Sequence, residues 1–114
     1  MDSILISVKK LLGITQEYTH FDSDIIMHIN SALFTLTQIG VGPAEGFSIK
    51  DESATWEDFV SDVKKIEAVK GYVWISVKLV FDPPANSGAM TALNERLKEY
   101  EWRLNVATDI NKEE

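Results

Sequence analysis

The sequence predicts an all-α protein, a small bundle of about four to five helices with a long irregular loop between the second and third. Three observations predict it. Apolar residues recur at spacings of three and four along most of the chain, the period of one helix face. The periodic segments are bounded by helix punctuation: Gly13 after the first, Asp22 before the second, Thr55 before the third. The one long stretch without the period, residues 40–54, "GVGPAEGFSIKDESA", collects three of the six glycines and a proline.

The first helix is predicted over Ser3 to Leu12, with Ile4, Leu5, Val8, Leu11 and Leu12 inward and Gly13 as a left-handed cap residue. The second starts at Asp22 as N-cap, with Phe21 before it and Ile26 placed to close a hydrophobic staple. Its stripe is Ile25, Ile26, Ile29, Leu33 and Leu36, ending near Gly40. Within the loop, Phe47 to Ile49 reads as a short extended piece.

Thr55 opens the third helix, where "TWED" is a capping-box variant with Asp58 in the place of the more usual Glu or Gln. Trp56, Phe59, Val60, Val63 and Ile66 are expected inward. A break or kink is expected between Ile66 and Gly71, since glycine in a helix interior costs roughly 1 kcal/mol relative to alanine. Tyr72 to Phe81 is rich in β-branched and aromatic residues, which strands also favour. Val69, Tyr72, Val73, Ser76, Val77 and Val80 nevertheless keep the helical period, so a helix is predicted. It must stop before Pro83, because proline disfavours helical backbone in the residue preceding it, here Asp82. Pro84 then removes a second amide donor. After "ANSG" a last helix carries Met90, Leu93, Leu97, Tyr100 and Leu104 on one stripe, with Trp102 at its edge. Glu99 and Arg103 stand four apart with the acid first, the favourable order. Residues 1–104 thus form one helical domain, and residues 105–114 lose the period and are expected to be a fraying, flexible tail. The short proline-rich joint makes the last two long helices a close pair and sets the angle between them.

Composition bounds the function. The 114 residues are 45% apolar and 25% charged, an ordinary globular balance. Without cysteine there is no disulfide, thiolate metal site or cysteine nucleophile. The N-terminus lacks the leading positive charge of a secretory signal, and no apolar run approaches the roughly 20 residues of a bilayer span. A soluble protein is therefore expected. The net charge of −7, from eleven basic and eighteen acidic residues, repels phosphates and argues against nucleic-acid binding through a basic patch.

The search for chemistry is negative. His20 and His28 are the only histidines and have neither HExxH nor HxxxH spacing, so no metal site is predicted. There is no GxSxG elbow, and "GVGPAEG" is neither a Walker loop nor a dinucleotide fingerprint. Glu95, Glu99 and Glu101 read as a solvated helix face. No catalytic residue and no cofactor is predicted. The aromatics remain to be placed: Trp74 lies off its helix stripe and Trp102 at the edge of another, so both are candidates for a subunit interface as well as for core packing.

Taken together, "VKKLLGI", "FDSDIIMHINSALFTLTQIGV", "YVWISVKLVFDPP" and "ALNERLKEYEWRLN" resemble the small head-tail connector proteins of tailed bacteriophages, also called head-completion or adaptor proteins. The resemblance rests on the order of these segments over nearly the whole chain, and is weakest over Gly40 to Ala54. It implies a structural protein of the virion's head-tail junction, assembled in the host cytoplasm as a ring of about twelve subunits under the portal. Such a ring extends the DNA channel and docks the next tail-side component. The implied partners are a portal protein and a tail-side head-completion protein, with DNA passing unbound and no membrane involved. The ring contact is expected on the outer faces of the last two helices, at Trp74, Lys78 and Trp102. Contact with portal or tail proteins is expected at the loop, with Phe47 and Ile49, and at the tail. Two alternatives are an acidic DNA mimic that blocks a host DNA-binding protein, and a small enzyme with a cryptic carboxylate site.

Overall fold

The structure is a computed structural model that describes the backbone of residues 2–113 and the side chains of residues 2–106. It is all-α, with α1 (Ile4–Leu11), α2 (Asp22–Gln38), α3 (Trp56–Phe59), α4 (Val63–Phe81) and α5 (Ser87–Glu113). The described residues contain no strand; one isolated antiparallel bridge pairs Ser3 with Thr55.

Local chemistry explains most boundaries. Ser3 caps α1, its Oγ accepting from Ile6 N at 3.2 Å. At the other end Gly13 adopts φ +82°, letting its amide and that of Ile14 close on Lys10 O and Lys9 O at 3.1 and 2.9 Å. Asp58 Oδ2 accepts from Thr55 N at 2.9 Å, the carboxylate half of the expected capping box. Asn86 starts α5, its Oδ1 accepting from Ala89 N at 3.0 Å.

Several expectations are corrected. Asp22 is the first residue of α2 and not its cap; Phe21 holds the cap position without a side-chain bond, because the Asp22 carboxylate is engaged elsewhere. Phe21 meets Phe81 edge-on, with ring centroids 5.3 Å apart. The third helix ends at Phe59, where Val60 turns extended and Asp62 caps a new helix by accepting from Lys64 N at 2.9 Å. The break thus falls before Val63, which is exposed, and α4 runs unbroken through Gly71. The glycine serves packing: a Cβ there would lie 2.6 Å from the Tyr100 ring of α5. Val80, expected on the stripe, is exposed, while Ile75 is buried. The backbone of residues 105–113 is helical.

Helix α4 is the axis of the molecule. It packs against α1, α2, α3 and α5, while α2 and α5 have no comparable contact with each other. At about 100° per residue its buried Ile75 and Val77 stand roughly 200° apart, so α4 is covered from two sides. The order of layers is α2, α4, α5. The core between α1, α2 and α4 is built by Ile4, Val8, Ile25, Ile29, Leu33, Val69 and Val73, all fully buried. Each such side chain contributes about 1.5–3 kcal/mol of transfer free energy.

The loop between α2 and α3 has no strand at Phe47–Ile49, yet it is anchored. The Asn30 side chain brackets the Ile49 backbone, accepting from its N at 2.7 Å and donating to its O at 3.0 Å. Val41 and Ile49 are buried, and Phe47 packs on Phe59 at 5.5 Å between centroids.

Candidate interaction surfaces

One polar group lies inside the core. Lys9 is only 2% exposed. Its Nζ donates to Gln16 O at 3.1 Å and Tyr18 O at 2.7 Å, and pairs with Asp22 Oδ1 at 2.8 Å. Two hydrogen bonds and one ion pair thus make Lys9 tie the end of α1, the joint after it and the start of α2 into one unit. An open cleft of about 570 Å³ above it is lined by Glu17, Lys50, Asp51 and Glu52, among others. Ser53 holds the Asp51 carboxyl below the usual carboxylate range, through its hydroxyl and its backbone N–H. Among the described residues no group of three or more His, Asp or Glu is arranged to hold a metal ion. His20 is exposed, edge-on to Phe21 at 4.8 Å, and His28 is half-buried on α2.

The structure separates the five residues expected at interfaces. Trp102 is 66% exposed, on the face of α5 opposite the Leu93, Leu97, Tyr100 and Leu104 stripe and not at its edge. Trp74 is half-buried with its indole nitrogen enclosed and without an acceptor. Lys78 pairs with Asp82 at 3.0 Å across the end of α4. Phe47 is half-buried against the core, and Ile49 is buried in it, leaving Ile49 no surface to offer a partner.

A surface that the sequence reading missed lies on α2. Met27 (57% exposed) and Phe34 (60%) stand two turns apart on the side facing away from α4, with Ser23, Ser31 and Gln38 around them. From Ile25 to Gln38 there is no Asp, Glu, Lys or Arg. Large exposed apolar side chains with only Asp24 charged beside them approach the composition of an interface centre. The signal was present in the sequence as two apolar residues off the stripe of a helix that carries no charge after Asp24.

No helix of the described residues is long and apolar enough to cross a membrane. The picture is of an all-helical module whose core is closed and whose unspent apolar chemistry lies on its outer helix faces, the makings of a structural assembly protein. A family model described as phage connector protein matches residues 4–111, and the chain belongs to that family. It is a bacteriophage head-tail connector, a structural virion component that works among the phage's head and tail parts. No curated protein and no solved structure matches the chain.

Proposed function

We propose that the protein acts as an adaptor that assembles as a ring under the portal, extends the DNA channel and docks the next component on the tail side. The carrying observation is membership of the connector family over residues 4–111. The fold is compatible with that task. A closely packed three-layer body suits a part whose job is to hold position, and a net charge of −7 lets DNA slide past without adhering. No catalytic step is part of this reading. Contact with portal and tail proteins is assigned to the exposed polar residues of the 40–54 loop, since Phe47 and Ile49 are committed to the core, and to the end of α5.

The test is the composition of purified particles. Many copies per virion at one vertex, and particles lacking tails when the protein is removed, are expected. Tailed, infectious particles without it would overturn the proposal. An inhibitor of a host DNA-binding protein would instead compete with DNA for that protein; the exposed acids of α5 are interleaved with Arg96, Lys98 and Arg103, with Glu99 paired to Arg103, which is a poor copy of a phosphate row.

A further inference from the structure

Helix α5 differs from the other helices in how it is held. The others are tied together by directed bonds: Lys9 joins α1 to α2, Trp56 Nε1 of α3 donates to Ser7 Oγ of α1 at 3.2 Å, and Lys70 reaches from α4 to Asp2, just ahead of α1, at 3.4 Å. Helix α5 keeps its polar bonds to itself. Asn86 caps it, Asn94 Nδ2 donates to Met90 O at 3.1 Å and Arg103 pairs with Glu99; among the described residues no hydrogen bond or ion pair links α5 to another helix. Its one large partner is α4, and of its described side chains only Leu104 is buried, with Leu93, Leu97 and Tyr100 half-covered. We propose that α5 is an exchangeable arm, which in the assembled protein leaves its own α4 and lies in the same place on the α4 of the next copy. This exchange presupposes the ring reading proposed above and is the contact that would build the ring.

An apolar seam is indifferent to which chain supplies it, because burial is not directional. Its closest fit is the Tyr100 ring over Gly71, where a Cβ would come within 2.6 Å. A second copy brings the identical ring to the identical glycine, so exchange replaces each contact with its equal and costs little. The occupant is therefore fixed by the fold: the stripe that fits this side of α4 is the α5 stripe, from its own chain or from another. The joint permits the move. Residues 82–86 span about 17 Å when extended, roughly twice the 8–10 Å between packed helix axes. Their bonds go to the adjoining helix ends, Asp82 to Lys78 and Asn86 to Ala89. Asp82 and Pro83 each precede a proline, which favours extended backbone at both, the form an open arm requires. Each subunit gives its arm to one neighbour and receives an arm from the other, so the contact is heterologous and repeats head to tail.

The chain has no cysteine, so paired cysteines report the position of the arm cleanly. Ala68 on α4 and Arg103 on α5 line one cleft of about 420 Å³. The doubly substituted chain Ala68→Cys/Arg103→Cys, treated with a short bis-maleimide after assembly into oligomers or particles, should give a ladder of covalent multimers that continues beyond the dimer. Each single variant alone should give none. The same chain bridged in dilute solution before assembly has its arm locked, and should lose the ability to assemble that the chain capped with N-ethylmaleimide keeps. Assembled chains bridged only within themselves, at the mass of the monomer, would overturn the exchange and leave the ring reading standing. Bridged chains that assemble as well as capped ones would do the same. A product that stops at dimers would show two copies trading arms reciprocally, and overturn the head-to-tail form. Absence of any self-association, in solution and in particles, would overturn the ring reading itself.

Discussion

The two joints that reverse the chain between long neighbours are held in opposite ways. Between α4 and α5, residues 82–86 turn through Pro83 and Pro84 and end at the Asn86 cap, so the joint is written in the residues that form it. Between α1 and α2, residues 12–21 contain no proline; their shape is imposed by Lys9, which reaches out of α1 to two of the joint's carbonyls and to Asp22. The first joint restricts the unfolded chain as much as the folded one. The second exists only when the fold is complete, because a buried ammonium is tolerable only with its partners in place.

The comparison is broken most forcefully at Lys9. Lys9→Ala strands the Asp22 carboxylate and leaves two carbonyls of the joint without their donor, and should destabilise by about 3 kcal/mol in urea denaturation. Lys9→Met keeps the stem and its packing, so a loss nearly as large would assign the effect to the bonds, and a small one to volume. Next comes the seam that the proline joint serves. Gly71→Ala places a methyl against the Tyr100 ring, and overpacking of about 1–3 kcal/mol should exceed the roughly 1 kcal/mol gained in helix propensity; a more stable variant would show that the seam can open at no cost. Changing Pro83 and Pro84 to alanine should cost only about 0.4–1 kcal/mol per site. Far-ultraviolet dichroism should keep its helical signal, while the near-ultraviolet bands of the aromatics shift as the helix angle relaxes. An unchanged near-ultraviolet spectrum would mean that packing alone sets the angle.

The smallest effect near neutral pH belongs to Tyr72 on the inner side of α4. Burial, with the nearby Glu101 charge adding to it, raises its hydroxyl above the ordinary value of 10.0. The folded state therefore holds the proton more tightly than the unfolded chain. Tyr72 contributes its full stability below pH 10 and loses it as pH climbs through the raised value, so Tyr72→Phe should flatten part of the alkaline decline. Equal alkaline curves for both proteins would remove Tyr72 from that decline.

What could be read ahead of the structure follows the same division. The α5 stripe from Met90 to Leu104, the stop at Asp82 and the cap at Gly13 depend on neighbours within a turn or two, and all were legible. Gly71 was misread as a break because its local cost is visible in the sequence, whereas the ring that requires it comes from another helix. Ile49 was read as a contact residue on an irregular loop because nothing in "GFSIKD" announces that Asn30, on the preceding helix, will bond both of its peptide groups. Trp102 stood between interface and core packing in the sequence, and its outward direction became clear only once α4 was seen to fill the opposite side of α5. The α2 face escaped notice because Met27 and Phe34 look like ordinary helix residues until the helix has a defined inside.

By itself the sequence determined the helical class, the order of the long helices, the place of the irregular loop and the sharp turn at the prolines. Propensity, apolar period and caps act over a few residues, where no distant partner is needed. Only the tertiary structure decided that α4 would be the central layer, that a lysine would be buried and that two apolar patches would face opposite ways. Those outcomes depend on which helix covers which, and a contact between residues far apart in the chain comes into being only when the core closes.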